Sequence, residues 1–179
     1  MSLSRNEARV KARNIEEGVI SMFREMRREN QKISKEECIR LLTEETRGVI
    51  SVIGDDGYPY GTPINHYYNP DDGKLYFHGA TFGHRVEAMK ENPKVSHCVF
   101  DKGTKDEGDW AYRVNSVVIF GKAKIVWDRS LAMDMCLKLC RKFPCSEEYI
   151  KEEFKKDADK TLVYCIEIEY MTGKRVHEA

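Results

Sequence analysis

From Gly48 onward the apolar residues fall mostly into short runs and alternations, broken repeatedly by Gly, Pro, Asn and Asp. Gly48–Ile53 reads as a strand, and Asp55-Asp56-Gly57 as a hairpin turn in which Gly takes positive φ. Tyr58–Tyr68 reads as a second strand, with Pro59 and Pro63 marking an edge or an irregularity. Asn69–Gly73 is another turn, and Lys74–His78 a third strand. Lys94–Phe100, Tyr112–Trp127 and Thr161–Tyr170 give three more, with Gly121 placed as a bulge or bend. The gaps in which repeated βαβ units would lie are missing, which disfavours a doubly wound sheet. The pattern predicts a mainly β chain with peripheral helices, its six strands closing into an antiparallel barrel that leaves few exposed edges.

Helical periodicity is confined to the flanks and connections. Residues 5–29 carry an approximate apolar stripe through Val10, Ile15, Val19, Phe23 and Met26, weakened at Gly18. Such a helix must dock to be stable. Residues 1–30 are therefore expected to form an N-terminal helical extension and 31–179 the barrel domain. Ser34-Lys35-Glu36-Glu37 has the spacing of a capping box, so a short helix follows, ending near Gly48. His84–Glu91 reads as a helix stopped by Asn92-Pro93. Residues 129–143 and 146–156 complete the set. Trp127, ending a strand, reads as core.

Composition narrows the function classes. Lys plus Arg number 30 and Asp plus Glu 30, so the formal net charge is zero. Broad attraction to nucleic acid or an anionic membrane is not expected. The six cysteines form no CxxC pair, which removes the zinc-ribbon and thioredoxin-type patterns. As buried thiols they would act as small apolar residues, with a metal or redox role for Cys136, Cys140 and Cys145 the lesser alternative. No signal peptide or membrane-length apolar run is visible, so a reducing, cytoplasmic location is the default expectation.

The most informative stretch runs from Leu75 to Arg85. A strand ends in Gly79-Ala80-Thr81-Phe82-Gly83, and a helix opens at His84-Arg85. Unpaired N–H groups at a helix N-terminus favour a phosphate. Gly79, Ala80 and Gly83 let a ligand approach the backbone, and Arg85 adds a planar charged fork. An ordinary strand-to-helix connection would look the same on the motif alone. His66, with Tyr67 and Tyr68, is a candidate to line the same cleft, although alternating aromatics on a β-surface usually serve packing. A cluster of His66, His78 and His84 on a metal is a lesser alternative.

Taken in order, Arg47–Val52, Asp56–Tyr60, Thr62–Asn65, Leu75–Ala80, Gly83–Arg85, Asn92–Val95 and Ser116–Ala123 resemble the FMN-binding split-barrel family. That family includes the pyridoxamine phosphate oxidases and the nitroimidazole-resistance flavoproteins. The resemblance spans roughly 26–172 and is nearest the nitroimidazole-resistance branch. It implies a six-stranded split barrel that dimerises and binds FMN at the subunit interface. On it, Pro63, Ile64 and Asn65 would lie along the flavin ring, and His78, Gly79, Ala80 and Thr81 along the ribityl chain and ring edge. His84 and Arg85 would take the phosphate. Tyr112, Arg113 and Ser116 would reach the cofactor from the partner subunit. The C-terminal substrate pattern of the true pyridoxamine phosphate oxidases is absent, so pyridoxamine phosphate is not the expected substrate. The implied activity is electron transfer from a reduced nicotinamide through FMN to a small acceptor such as a nitro compound or quinone. A non-catalytic flavin or haem store or sensor on the same barrel is the alternative, with His78 or His66 as axial candidates for haem.

Overall fold

The computed structural model of the protein describes residues 22–157 and 160–178. After a 3-10 turn at Glu29–Gln31 come α1 (Lys35–Glu44), β1 (Arg47–Ile53), β2 (Pro59–Asn65), β3 (Tyr67–Asn69) and β4 (Lys74–Ala80). Then follow α2 (His84–Glu91), β5 (Lys94–Phe100), β6 (Arg113–Ile125), α3 (Arg129–Cys140), α4 (Glu147–Asp157) and β7 (Thr161–His177). Most of the helix expected over 5–29 lies outside the described residues; its described end, Met22 to Arg28, is not helical. Phe23 there stacks on Tyr170 and Phe120.

All strand pairings are antiparallel, in the order β2-β1-β5-β6-β7-β4-β3. The two edge strands, β2 and β3, are consecutive in the chain and separated only by His66. One residue spans too little distance to cross a flat seven-stranded sheet, so the sheet must curl until its edges meet. The strand count is seven rather than the expected six for the same reason. Tyr58–Tyr68, read as one strand, changes partner at His66, pairing with β1 before it and β4 after it.

Closure is incomplete. β3 pairs only with Lys74–Tyr76 of β4. Beyond that point the last residues of β4 face β2 with no strand ladder between them. This seam is the split in the barrel, and it leaves backbone hydrogen-bonding groups available on both sides.

Inside the barrel, alternating positions of each strand meet, including Ile50, Val52, Ile64, Leu75, Phe77, Val99, Val117, Ile119 and Ile166. α1 stops one mouth with Cys38, Leu41 and Leu42, and α2 stops the other with Val86, Ala88 and Met89. Full burial of a side chain such as Leu42 is worth about 1.5–3 kcal/mol. α1 begins as its sequence demands: Ser34 Oγ accepts from Glu37 N–H, and the Glu37 carboxylate accepts from Ser34 N–H. α3 and α4 form an insertion between β6 and β7. α3 covers the outer face of β4 and β7, burying Tyr76, Met135, Cys136, Val163 and Cys165.

Three further expectations are corrected. Gly48 does not end α1 but sits in β1, where a Cβ would lie 2.5 Å from His97 Nε2. Trp127 is not core: it is 78% exposed just past the end of β6. β7 runs on to His177, pairing with the whole of β6. The irregularity expected at Gly121 is present as a register shift between Phe120 and Gly121, where an added Cβ would collide with Glu167 O. Among the described residues no helix is long and apolar enough to cross a membrane.

Candidate functional site

The seam between β2 and β4 collects most of the residues singled out above. Pairing alternation fixes which way each side chain points. Along β4, Leu75 and Phe77 face the barrel interior, so Gly79 does too, while Tyr76 and His78 face outward. On β2, Ile64 is buried in the interior, so only its backbone can meet a ligand at the seam; Pro63 and Asn65 are exposed on the opposite face.

Arg85 bridges the seam. Its Nη1 donates to Thr62 Oγ1 on β2 at 3.1 Å. A Cβ on Gly79 of β4 would lie 2.8 Å from its Nη2, so the absence of a side chain at 79 is what admits the guanidinium. The guanidinium carbon stands 5.9 Å from the Phe77 ring centroid. Arg85 Nε is buried and has no hydrogen-bond partner. A half-buried cation with an unused donor, next to backbone that a strand has left unpaired, has the chemistry to accept an anion. The α2 N-terminus lies alongside, with Gly83 at φ 116° allowing the turn into the helix.

His84 follows a different course. Its ring stacks on Tyr60, and its Nε2 sits 3.4 Å from Asp55 Oδ1 on the β1–β2 hairpin. Adjacent in sequence, His84 and Arg85 therefore diverge, and only Arg85 lies across the seam. Ala80 uses its carbonyl to accept from Tyr164 Oη at 2.9 Å, tying the end of β4 to β7. Thr81 is exposed in the turn that follows.

On the outer face, Asn65 and His78 line one cavity of about 380 Å³ with α3, α4 and Thr161. The cavity walls and the nearby Arg85 charge hold the His78 pKa below its usual value, which favours the neutral imidazole.

Tyr112, Arg113 and Ser116 are not brought to this seam. Ser116 pairs with Lys174 of β7, whereas His78 pairs with Val163. Roughly 35 Å of extended strand lies between those two points of β7, so one ligand cannot span both groups within one chain. Arg113 is engaged locally with Asp106 at 2.7 Å.

His66, expected along the cleft, is fully buried between Leu42 and His97. Sealed in the core, it cannot serve as an axial ligand as placed. The cluster of His66, His78 and His84 does not form, and among the described residues no group of His, Cys, Asp and Glu is arranged to hold a metal ion. Sequence reasoning missed the contribution of Thr62 to the Arg85 contact and the cavity under α3 and α4. Neither leaves a local signature, since each depends on which strands the curl brings together.

A family model described as pyridoxamine 5'-phosphate oxidase matches residues 34–175. A search of curated proteins finds no match. Among solved structures, a proposed 5-nitroimidazole antibiotic resistance protein from Bacteroides thetaiotaomicron aligns at 19% identity and TM-score 0.64, covering 82% of this chain and 87% of that one. A FAD-binding protein from Mesorhizobium loti aligns at 24% identity and TM-score 0.60, covering 82% and 97%. A FAD and heme binding protein from Mycobacterium smegmatis aligns at 19% identity and TM-score 0.61, covering 84% and 75%. At these identities the structures establish the shared fold.

Proposed function

Because the chain belongs to the pyridoxamine 5'-phosphate oxidase family, we propose that it is a homodimeric FMN-dependent oxidoreductase, taking electrons from a reduced nicotinamide and passing them to a small acceptor such as a nitro compound or quinone. One observation carries the reading: Arg85 lies across the barrel seam with a buried, unused Nε donor, in space that only glycine at 79 leaves open. That cradle fits a phosphate ester. Flavin- and haem-binding proteins and a proposed nitroimidazole resistance protein share the fold, which supports the same reading.

The chain's own residues would act by holding and orienting. Arg85 and Thr62 would bind the phosphate, with the α2 N-terminal amides adding partial positive charge. The seam edges at Pro63–Asn65 and His78–Ala80 would offer backbone groups and a flat apolar surface to the ring. His78, kept neutral, can donate or accept one hydrogen bond at the ring edge without adding charge. Tyr112, Arg113 and Ser116 would complete the site from a second copy. When bound, FMN would supply the redox chemistry that links donor to acceptor.

The purified protein is expected to be yellow and to release FMN on denaturation. Stopped-flow mixing with NADH or NADPH should bleach the flavin band. Arg85→Ala should weaken FMN binding roughly 10- to 100-fold, as loss of a charged hydrogen bond implies. Unchanged affinity in that variant would refute the phosphate assignment. A non-catalytic haem carrier is the second reading. It rests on the exposed, neutral His78 imidazole, the form that ligates iron, and a Soret band would favour it.

A further inference from the structure

α3 and α4 roof a hollow that the barrel alone would not possess. The 380 Å³ cavity has Asn65, His78 and Thr161 at its barrel end and Leu139, Phe143 and Tyr149 among its apolar walls. We propose that this cavity receives the electron acceptor, and that it selects uncharged, flat ring compounds with an oxygen acceptor at one end while excluding anions. The inference rests on the flavin reading above, because the same two residues, Asn65 and His78, belong both to the seam and to the cavity floor.

Size, lining and charge all bear on the choice of ligand. The volume is within the range of small-molecule sites, and mostly apolar walls reward a ring that sheds its water. The Asn65 amide and Thr161 hydroxyl are donors suited to a nitro or quinone oxygen. Glu153 and Asp157 of α4 stand at the wall, and among the described residues no lysine or arginine lines the cavity. Their lysine neighbours, Lys156 at 3.7 Å and Lys160 at 3.9 Å, are 71% and 80% exposed, so those pairs are screened by water. A carboxylate entering the hollow would lose hydration and meet two acids, while the one cation felt at His78, Arg85, would on the flavin reading already be matched by the FMN phosphate. The thiols do not alter this. Burial pushes the Cys136 pKa up to about 12 and raises that of Cys140, so both serve as apolar lining rather than nucleophiles.

The test uses two isosteric probes, 4-nitrobenzamide and 4-nitrobenzoate, on the FMN-loaded protein. Cys145 lines the cavity and is exposed, so its alkylation by iodoacetamide, followed by mass spectrometry, reports occupancy without any turnover. The amide is expected to protect Cys145 and, by equilibrium dialysis, to bind at least about tenfold more tightly than the benzoate. Leu139→Trp, which fills the hollow, should abolish protection while leaving FMN affinity unchanged; Tyr149→Trp is the more exposed alternative if that protein does not fold. Replacing both acids, Glu153→Gln with Asp157→Asn, should narrow the difference between the probes. Equal binding of the two probes, or no protection by the amide, overturns the proposal while FMN binding leaves the flavin reading intact. Protection by the amide in a protein that binds no flavin would sustain the cavity as a binding site and refute the flavin reading on which its role as acceptor site depends.

Discussion

His97 Nε2 lies 3.4 Å from His66 Nδ1, and both rings are fully removed from water. His66 Nε2 is 3.1 Å from the Leu42 carbonyl, which only an N–H can approach favourably, so the network assigns the His66 proton to Nε2. His66 Nδ1 must then accept, His97 Nε2 must donate, and His97 Nδ1 is left as the orphan acceptor that the structure shows. An added proton has no counter-charge waiting for it, and Lys142 stands nearby.

Burial lowers the His66 pKa to about 3, helped by His97 and Lys142, and lowers that of His97 to about 4. The unfolded chain takes up protons below the ordinary histidine value while the folded chain does not. This contribution to stability is therefore full above about pH 6.5 and is lost progressively as the pH falls toward 4. A fall of about 3–4 kcal/mol in unfolding free energy between pH 7 and pH 5, about 2 from each ring, is expected from urea titrations. His97→Gln should flatten that slope; an unchanged slope would mean the pair is not its source.

Lys142 holds the insertion to the barrel. Its Nζ donates to Glu45 O at 2.6 Å and to Leu42 O at 3.3 Å, the open carbonyls at the end of α1. Lys142→Met should cost about 1–3 kcal/mol and speed proteolytic cleavage within 141–157. Limited proteolysis with mass mapping checks the position as well as the rate.

Two glycines should respond differently to alanine. Gly79→Ala pushes a methyl into the Arg85 guanidinium, the movable end of a side chain, so folding should change little while FMN affinity falls. Gly121→Ala pushes a methyl against the Glu167 backbone carbonyl at the bulge, which cannot yield cheaply. A loss of about 1–3 kcal/mol is expected there. Thermal melts paired with FMN titrations separate the two effects.

Ser34→Ala removes the acceptor for Glu37 N–H and should cost about 1 kcal/mol. Because α1 stops one mouth of the barrel, the loss should appear in global unfolding rather than as local fraying. Hydrogen exchange at Ile50 and Val99 is the measurement that distinguishes these.

Much of the barrel was legible because its signals are local. Ser34 and Glu37 announce α1, and Asn92-Pro93 stops α2 at Glu91. The alternation in Lys94–Phe100 delimits β5 to the residue, and Gly121 marks the bulge. What escaped depends on tertiary closure. Nothing local tells a reader that His66 is the point where a strand changes partners, or that Gly48 is small to make way for His97. The exposure of Trp127 is likewise set by where β6 ends, not by its own apolar character. At the candidate site, Arg85 was visible as a charge beside a glycine turn, but its use of Thr62 required the curl of the sheet. The distance of Tyr112, Arg113 and Ser116 from the seam within one chain is measured along β7 and agrees with their expected place in a second copy.

The one-residue link between β2 and β3 also limits how the molecule can breathe. Since His66 is clamped to Leu42 and His97, the two lips of the seam are pinned together at that end. Any widening must occur like the opening of a clothes-peg, at the far end where Thr62 and Arg85 meet. A guest would therefore enter and leave beside the guanidinium, and lengthening the chain at position 66 would free both jaws at once.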